Sequence, residues 1–205
     1  MPLTIDFTDS RWSGAGGLGQ YSQSYGSLGV SVEVLGGSGD LTFNAGGPSS
    51  SAPLALDGDG LGIGDDEIGG FGVEGLHVTF DSAVTILGYY LLDLFDGEGP
   101  NGEAESAYAA FGANTTLLAL DTAFGTETPG EAGFYARDGL RIAGVTDALF
   151  TGTQTSYSDF ALAGIIVDYD PVSVPEPGAL SLLCAGLLVA AAGRRARRNA
   201  SRRAA

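Results

Sequence analysis

The 205-residue chain has no lysine, one histidine and one cysteine. Each shortage removes a class of chemistry. A Walker-type phosphate loop needs a lysine, so that nucleotide site is excluded. A zinc site takes several histidine or cysteine ligands, and one of each is too few. The cysteine, Cys184, lies in an apolar segment near the C-terminus. The chain before it therefore has no disulfide, no thiolate ligand and no cysteine nucleophile. The histidine, His77, would have to serve any Ser-His-Asp triad, and no G-x-S-x-G elbow accompanies it. A glycosidase resting on two carboxylates stays open, because acids are plentiful. The expectation is a protein that is not an enzyme.

Positive charge is also scarce, and it is unevenly placed. Residues 1–174 hold 24 acids against three arginines (Arg11, Arg137, Arg141), a net charge of −21. Such a body is repelled by nucleic acid and by anionic lipid, so no nucleic-acid partner is expected. It can attract divalent cations; equally, the charge can serve only to keep an exported protein soluble. A secretory leader is the next shortage. MPLTIDFTDSRW has neither a basic n-region nor an apolar h-region and reads as the first strand of a mature domain. Either the chain is cytoplasmic, or its true start lies upstream.

What the chain does have is glycine, 34 residues, more than twice the usual share of about 7 %. Glycine weakens helix interiors and favours turns. Between the turns run strand patterns. LTIDF (3–7), VSVEV (30–34) and LHVTF (76–80) alternate apolar with polar residues. LTF (41–43) follows GGSGD, which reads as a hairpin turn joining it to VSVEV. VTILGYYLLDLF (84–95) is a long apolar run, either a buried strand bent at Gly88 or a strand leading into a loop. AYAAF, TTLLAL, GFYA, LRIAGV and FALAGIIVDY (160–169) read as further strands, while TDALF (146–150) fits one helical turn. The stretch 11–29 reads as loop with at most one short strand. The expected fold is all-β over 1–170: an antiparallel two-sheet β-sandwich, jelly-roll-like.

Two loops are candidate sites. LALDGDGLGIGDDEIGG (54–70) carries Asp57, Asp59, Asp65, Asp66 and Glu67 within eleven residues. Calcium takes six to eight oxygens from carboxylates and carbonyls, and glycine lets carbonyls turn inward. These five acids are a candidate calcium site, although the spacing is not that of an EF-hand. An exposed acidic hairpin loop is the alternative. In the second loop, Trp12, Tyr21 and Tyr25 can stack on sugar rings or simply pack.

The C-terminus has a different character. DPVSVPEP (170–177) places three prolines in eight residues, which forbids helix and ladder pairing. A linker over 171–178 is followed by fifteen apolar residues (179–193), and then by Arg194, Arg195, Arg197 and Arg198 in a basic tail (194–205). As a helix the run spans roughly 22 Å, short of the bilayer's apolar thickness of about 30 Å. Flanking residues and snorkelling arginines can close that gap. The pattern predicts one transmembrane helix over 179–193, with the arginines cytoplasmic and the body outside.

Val174-Pro175-Glu176-Pro177, an apolar helix and a terminal arginine cluster, in that order, resemble the PEP-CTERM sorting signal of Gram-negative bacteria. The resemblance implies that exosortase, a membrane transpeptidase-like enzyme, cuts at or near the PEP triplet. It implies an inner-membrane stage during sorting, then the cell surface or extracellular matrix. The family's frequent company is exopolysaccharide synthesis. On this expectation the body is a structural or adhesive component; the alternative is a carbohydrate-binding module or polysaccharide-active enzyme delivered by the same route. Members of the family need a signal peptide, which favours a start upstream of Met1. The stretch 60–95 also resembles a recurring segment of PEP-CTERM bodies, which carries no settled activity.

Overall fold

The computed structural model describes residues 2–36, 39–47, 52–64, 67–69, 74–95, 105–113, 118–121, 133–152 and 158–170. All lie in the unit Met1–Asp170. The linker, the apolar run and the basic tail lie outside the described residues.

The described body is all antiparallel β apart from one short 3-10 turn. The strands are β1 (Pro2–Asp6), β2 (Gln20–Tyr25), β3 (Leu28–Gly36), β4 (Leu41–Thr42), β5 (Gly62–Ile63), β6 (Glu74–Leu92), β7 (Ser106–Phe111), β8 (Leu118–Asp121), β9 (Tyr135–Arg137), β10 (Ile142–Gly152) and β11 (Ala161–Asp168). Nine strands share one hydrogen-bonded sheet, in the order β1-β11-β6-β10-β7-β8, with β3 and β9 also on β6 and β2 on β3. β4 and β5 form a separate two-stranded ribbon.

The organising element is β6, nineteen residues long. The two patterns 76–80 and 84–95 merge in it. Its first half pairs with β3 from Glu74 to Phe80; its second half pairs with β11 from Thr85 to Leu92. Opposite β10, the register jumps between Val84 and Thr79. The strand therefore bulges over 80–83 and changes neighbours there. Leu76, Val78, Phe80, Val84 and Ile86 point into the core, one residue in two. From Gly88 to Leu92 every residue is buried, because both faces are covered. Tyr89 and Leu91 join the main core, while Tyr90 and Leu92 pack with Ala163 under Leu54, Leu56 and Phe134. The irregularity expected at Gly88 is present: Ile166 pairs with Gly88 and Val167 with Ile86, which leaves Leu87 over. A Cβ on Gly88 would lie 2.4 Å from the Arg137 carbonyl oxygen, so only glycine admits β9 so closely.

Two expectations are corrected. GGSGD does not join β3 to β4 as a hairpin; β3 pairs with β2 and β6, and Leu41 pairs with Ile63. With one face of β3 already apolar and two flanking strands in register, no edge remains for LTF. TDALF is not a helical turn but the middle of β10, with Ala148 and Phe150 buried and laddered to β6 and β7. Tertiary pairing overrides the local preference of five residues.

Candidate functional site

The acidic loop is bound into the body at the end of β1. Asp6 Oδ1 accepts the Thr8 N–H at 2.9 Å and the Thr8 hydroxyl at 2.6 Å, and its Oδ2 accepts the Ala55 N–H at 2.7 Å. The Leu56 N–H donates to Thr8 Oγ1 at 2.9 Å, and Gly58 N–H donates to the Thr8 carbonyl at 2.9 Å. Leu56 holds the left-handed φ of 54°, which sets its N–H towards Thr8. Together these bonds strap residues 54–58 across β1 and lay Leu54 and Leu56 over Tyr90 and Leu92.

Asp57 and Asp59 serve the same strap. Asp57 Oδ2 accepts the Ser10 N–H at 3.1 Å, and Asp59 Oδ1 accepts the Asn44 N–H at 3.0 Å. The Glu67 carbonyl accepts the Ile63 N–H. Asp65 and Asp66 lie outside the described residues. Among the described residues no three acids, histidines or cysteines come together as a metal site.

Trp12 is fully buried, with its ring against Phe7 and Tyr21 and its Nε1–H donating to Tyr25 Oη at 2.9 Å. The 3-10 turn Ser10–Ala15 puts it there, capped by Asp9, whose carboxylate accepts the Arg11 N–H. That bond first, then the Arg11 guanidinium, hold the Asp9 carboxyl below the usual carboxylate range. A buried indole cannot offer a stacking face, so of the two readings given for Trp12 the structure shows packing, while Tyr21 and Tyr25 are half-buried beside it. His77 is half-exposed on β6 opposite Glu33, with Nδ1 to Oε1 at 2.8 Å.

The sequence reading missed a notch on the solvent face of β2, β3 and β6. Its volume is about 480 Å³, and Ser22, Ser24, Gly29, Ser31, Thr79 and Asp81 line it. It opens where β3 begins and β6 bulges. Asp81 lies over Gly29, where a Cβ would stand 2.7 Å from its Oδ2. The alternating serines of QYSQSY are the one signal that foretells it.

The chain leaves the body at the other end of β1 from the strap. Pro2 pairs with Asp168, and Tyr169 Oη lies 3.2 Å from Ser27 Oγ. Val174, Pro175, Glu176, Pro177 and the four arginines at 194, 195, 197 and 198 lie outside the described residues. A family model described as the PEP-CTERM protein-sorting motif matches residues 173–198. The chain carries a PEP-CTERM sorting signal. The match takes in the PEP triplet, the apolar run and Arg194 to Arg198, and stops before Arg202 and Arg203. A PEP-CTERM motif implies export, processing by exosortase in the membrane and delivery to the cell surface. Among the described residues, no helix is long and apolar enough to cross a membrane. No curated protein and no solved structure matches the chain.

Proposed function

We propose that this PEP-CTERM protein is a structural or adhesive component of the cell surface or extracellular matrix, associated with exopolysaccharide, and not an enzyme. Residues 179–193 span the inner membrane as one helix during sorting, with Arg194, Arg195, Arg197 and Arg198 on the cytoplasmic side. Exosortase then cuts at or near Val174-Pro175-Glu176-Pro177. Prolines keep that segment free of ladder bonds, so a protease can bind it extended. The helix is only marginally long, which suits a temporary hold rather than a permanent anchor.

One observation carries this reading: the sorting motif begins at residue 173, five residues after the last strand ends at Asp168. A cut near Pro177 leaves the β11–β1 ladder and the whole core untouched. The body is suited to life after release. Its two halves of β6 serve different neighbours, which supports a two-layer sandwich folded at the 80–83 bulge. Its lone histidine is paired with Glu33, which supports a non-catalytic role. Mass spectrometry of the mature protein from its host, with and without exosortase, tests the route. The wild-type protein is expected to lack everything after about Pro177 and the deletion strain to retain it; an intact tail in the wild type refutes cleavage.

A further inference from the structure

We propose that the notch between β2, β3 and β6 binds a short, neutral saccharide. In the notch several polar side chains are left uncommitted on one face of the sheet. Ser22 donates to Ser31, and Gln20 donates to Ser31, each at 2.9 Å, which fixes one wall. The hydroxyls of Ser24 and Thr79 and the carboxylate of Asp81 make no hydrogen bond with the described residues, although all three border the cavity. Hydroxyls both donate and accept, while an ionised carboxylate accepts only. The matching ligand presents paired O–H donors to Asp81 and oxygens that accept from Ser24 and Thr79.

Charge narrows the class. No arginine or histidine lines the notch, and Arg11 is bound to Asp9 at 3.1 Å and lies over the Tyr25 ring. Asp81 and the acidic body repel phosphates and uronates, so among saccharides the uncharged ones are favoured. A volume of about 480 Å³ falls in the range of small-molecule sites, roughly 300–1,000 Å³. Val30 and Phe80 border the cavity but are almost fully buried, so little apolar area is available to the ligand. The expected affinity for one saccharide unit is therefore weak, and a polymer engaging several protein copies gains through avidity. Gly29 keeps the cavity open and sets the carboxylate: its backbone accepts a side chain, but a methyl would displace Asp81.

The inference deepens the exopolysaccharide reading above and rests on it for its biological setting. Its test is separate, because tail cleavage does not involve the notch. The probe is maltose, cellobiose or mannobiose, titrated into the isotopically labelled full chain in zwitterionic detergent, since a glucoside detergent would itself present sugar. Digalacturonate is the anionic counterpart. Amide shifts are expected at Ser24, Gly29 and Thr79 to Asp81, saturating in the millimolar range with a neutral disaccharide and not with digalacturonate. Gly29→Ala and Asp81→Asn are each expected to weaken binding about tenfold, as loss of a charge-assisted hydrogen bond implies. Thermal melts confirm that the variants fold; should Gly29→Ala melt early, Asp81→Asn and Ser24→Ala carry the comparison. No saturable shift with any neutral probe, an equal response to digalacturonate, shifts mapping elsewhere, or unchanged binding in folded variants would each overturn the proposal.

Discussion

Replacing Asp6 by alanine tests whether polar strapping, rather than a cation, holds the acidic loop. The Asp6 carboxylate accepts three hydrogen bonds, two from Thr8 and one from Ala55. Hydrogen bonds to a charged group contribute about 1.5–3 kcal/mol each. Asp6 is only half-buried, so water replaces part of that loss. The Thr8 hydroxyl, fully buried, keeps its bond from Leu56 but loses its acceptor. The net cost comes to about 3 kcal/mol, a large fraction of a total stability of roughly 5–15 kcal/mol. In a body of this size that lowers the melting temperature by about 6–12 °C. Asp6→Asn keeps one acceptor oxygen and is expected to lose about half as much. Amide hydrogen exchange should localise the change, with residues 55–58 losing protection before β6 and β10 do. A loss below about 1 kcal/mol, or faster exchange spread evenly over the sheet, would refute the strapping argument.

Three further outcomes are expected. Gly58→Ala places a Cβ 2.4 Å from Phe43 Cζ and 2.8 Å from the Asn44 carbonyl, and should cost about 1–3 kcal/mol in urea melts, whereas Gly16→Ala, with nothing within 4 Å, should be near neutral. Burial raises the titration of Tyr25, Tyr89, Tyr90 and Tyr135. Above the ordinary tyrosine value of about 10 the unfolded chain sheds protons that the folded chain keeps, so stability is complete below that pH and falls as pH rises beyond it; site-resolved NMR titration showing these four tyrosines ionise only with unfolding would confirm this, and ionisation of any of them at its ordinary value in the folded body would refute it. With Asp57 and Asp59 accepting backbone N–H groups, millimolar calcium is expected to leave the EDTA melting temperature unchanged, and a rise of several degrees would restore a cation to the loop.

Much of the strand content was legible, because alternation is a local property. Leu76, Val78 and Phe80 mark one face of β6 whatever pairs with it, and the unbroken run to Leu92 announces burial on both faces. What alternation does not carry is partnership. Nothing near LTF says that Leu41 will meet Ile63 rather than β3, and nothing within TDALF outweighs the two ladders that flank it. The candidate sites divide the same way. An aromatic loop reads alike whether Trp12 faces water or Phe7. Asp57 and Asp59 read in the sequence only as part of an acidic run, and the structure alone gives them their backbone donors, Ser10 and Asn44.

The sorting signal needed no fold. Residues 173–198 are a linear code of prolines, an apolar run and arginines, and a membrane and its protease read such a code along the chain. The charge split between an acidic body and a basic end is equally a matter of sequence. The notch is the reverse case. Ser24, Gly29, Thr79 and Asp81 are scattered over nearly sixty residues, and only the antiparallel register of β2, β3 and β6 sets them side by side. Register follows from which apolar faces must be buried together, so the surface facing away from the core was decided by the core.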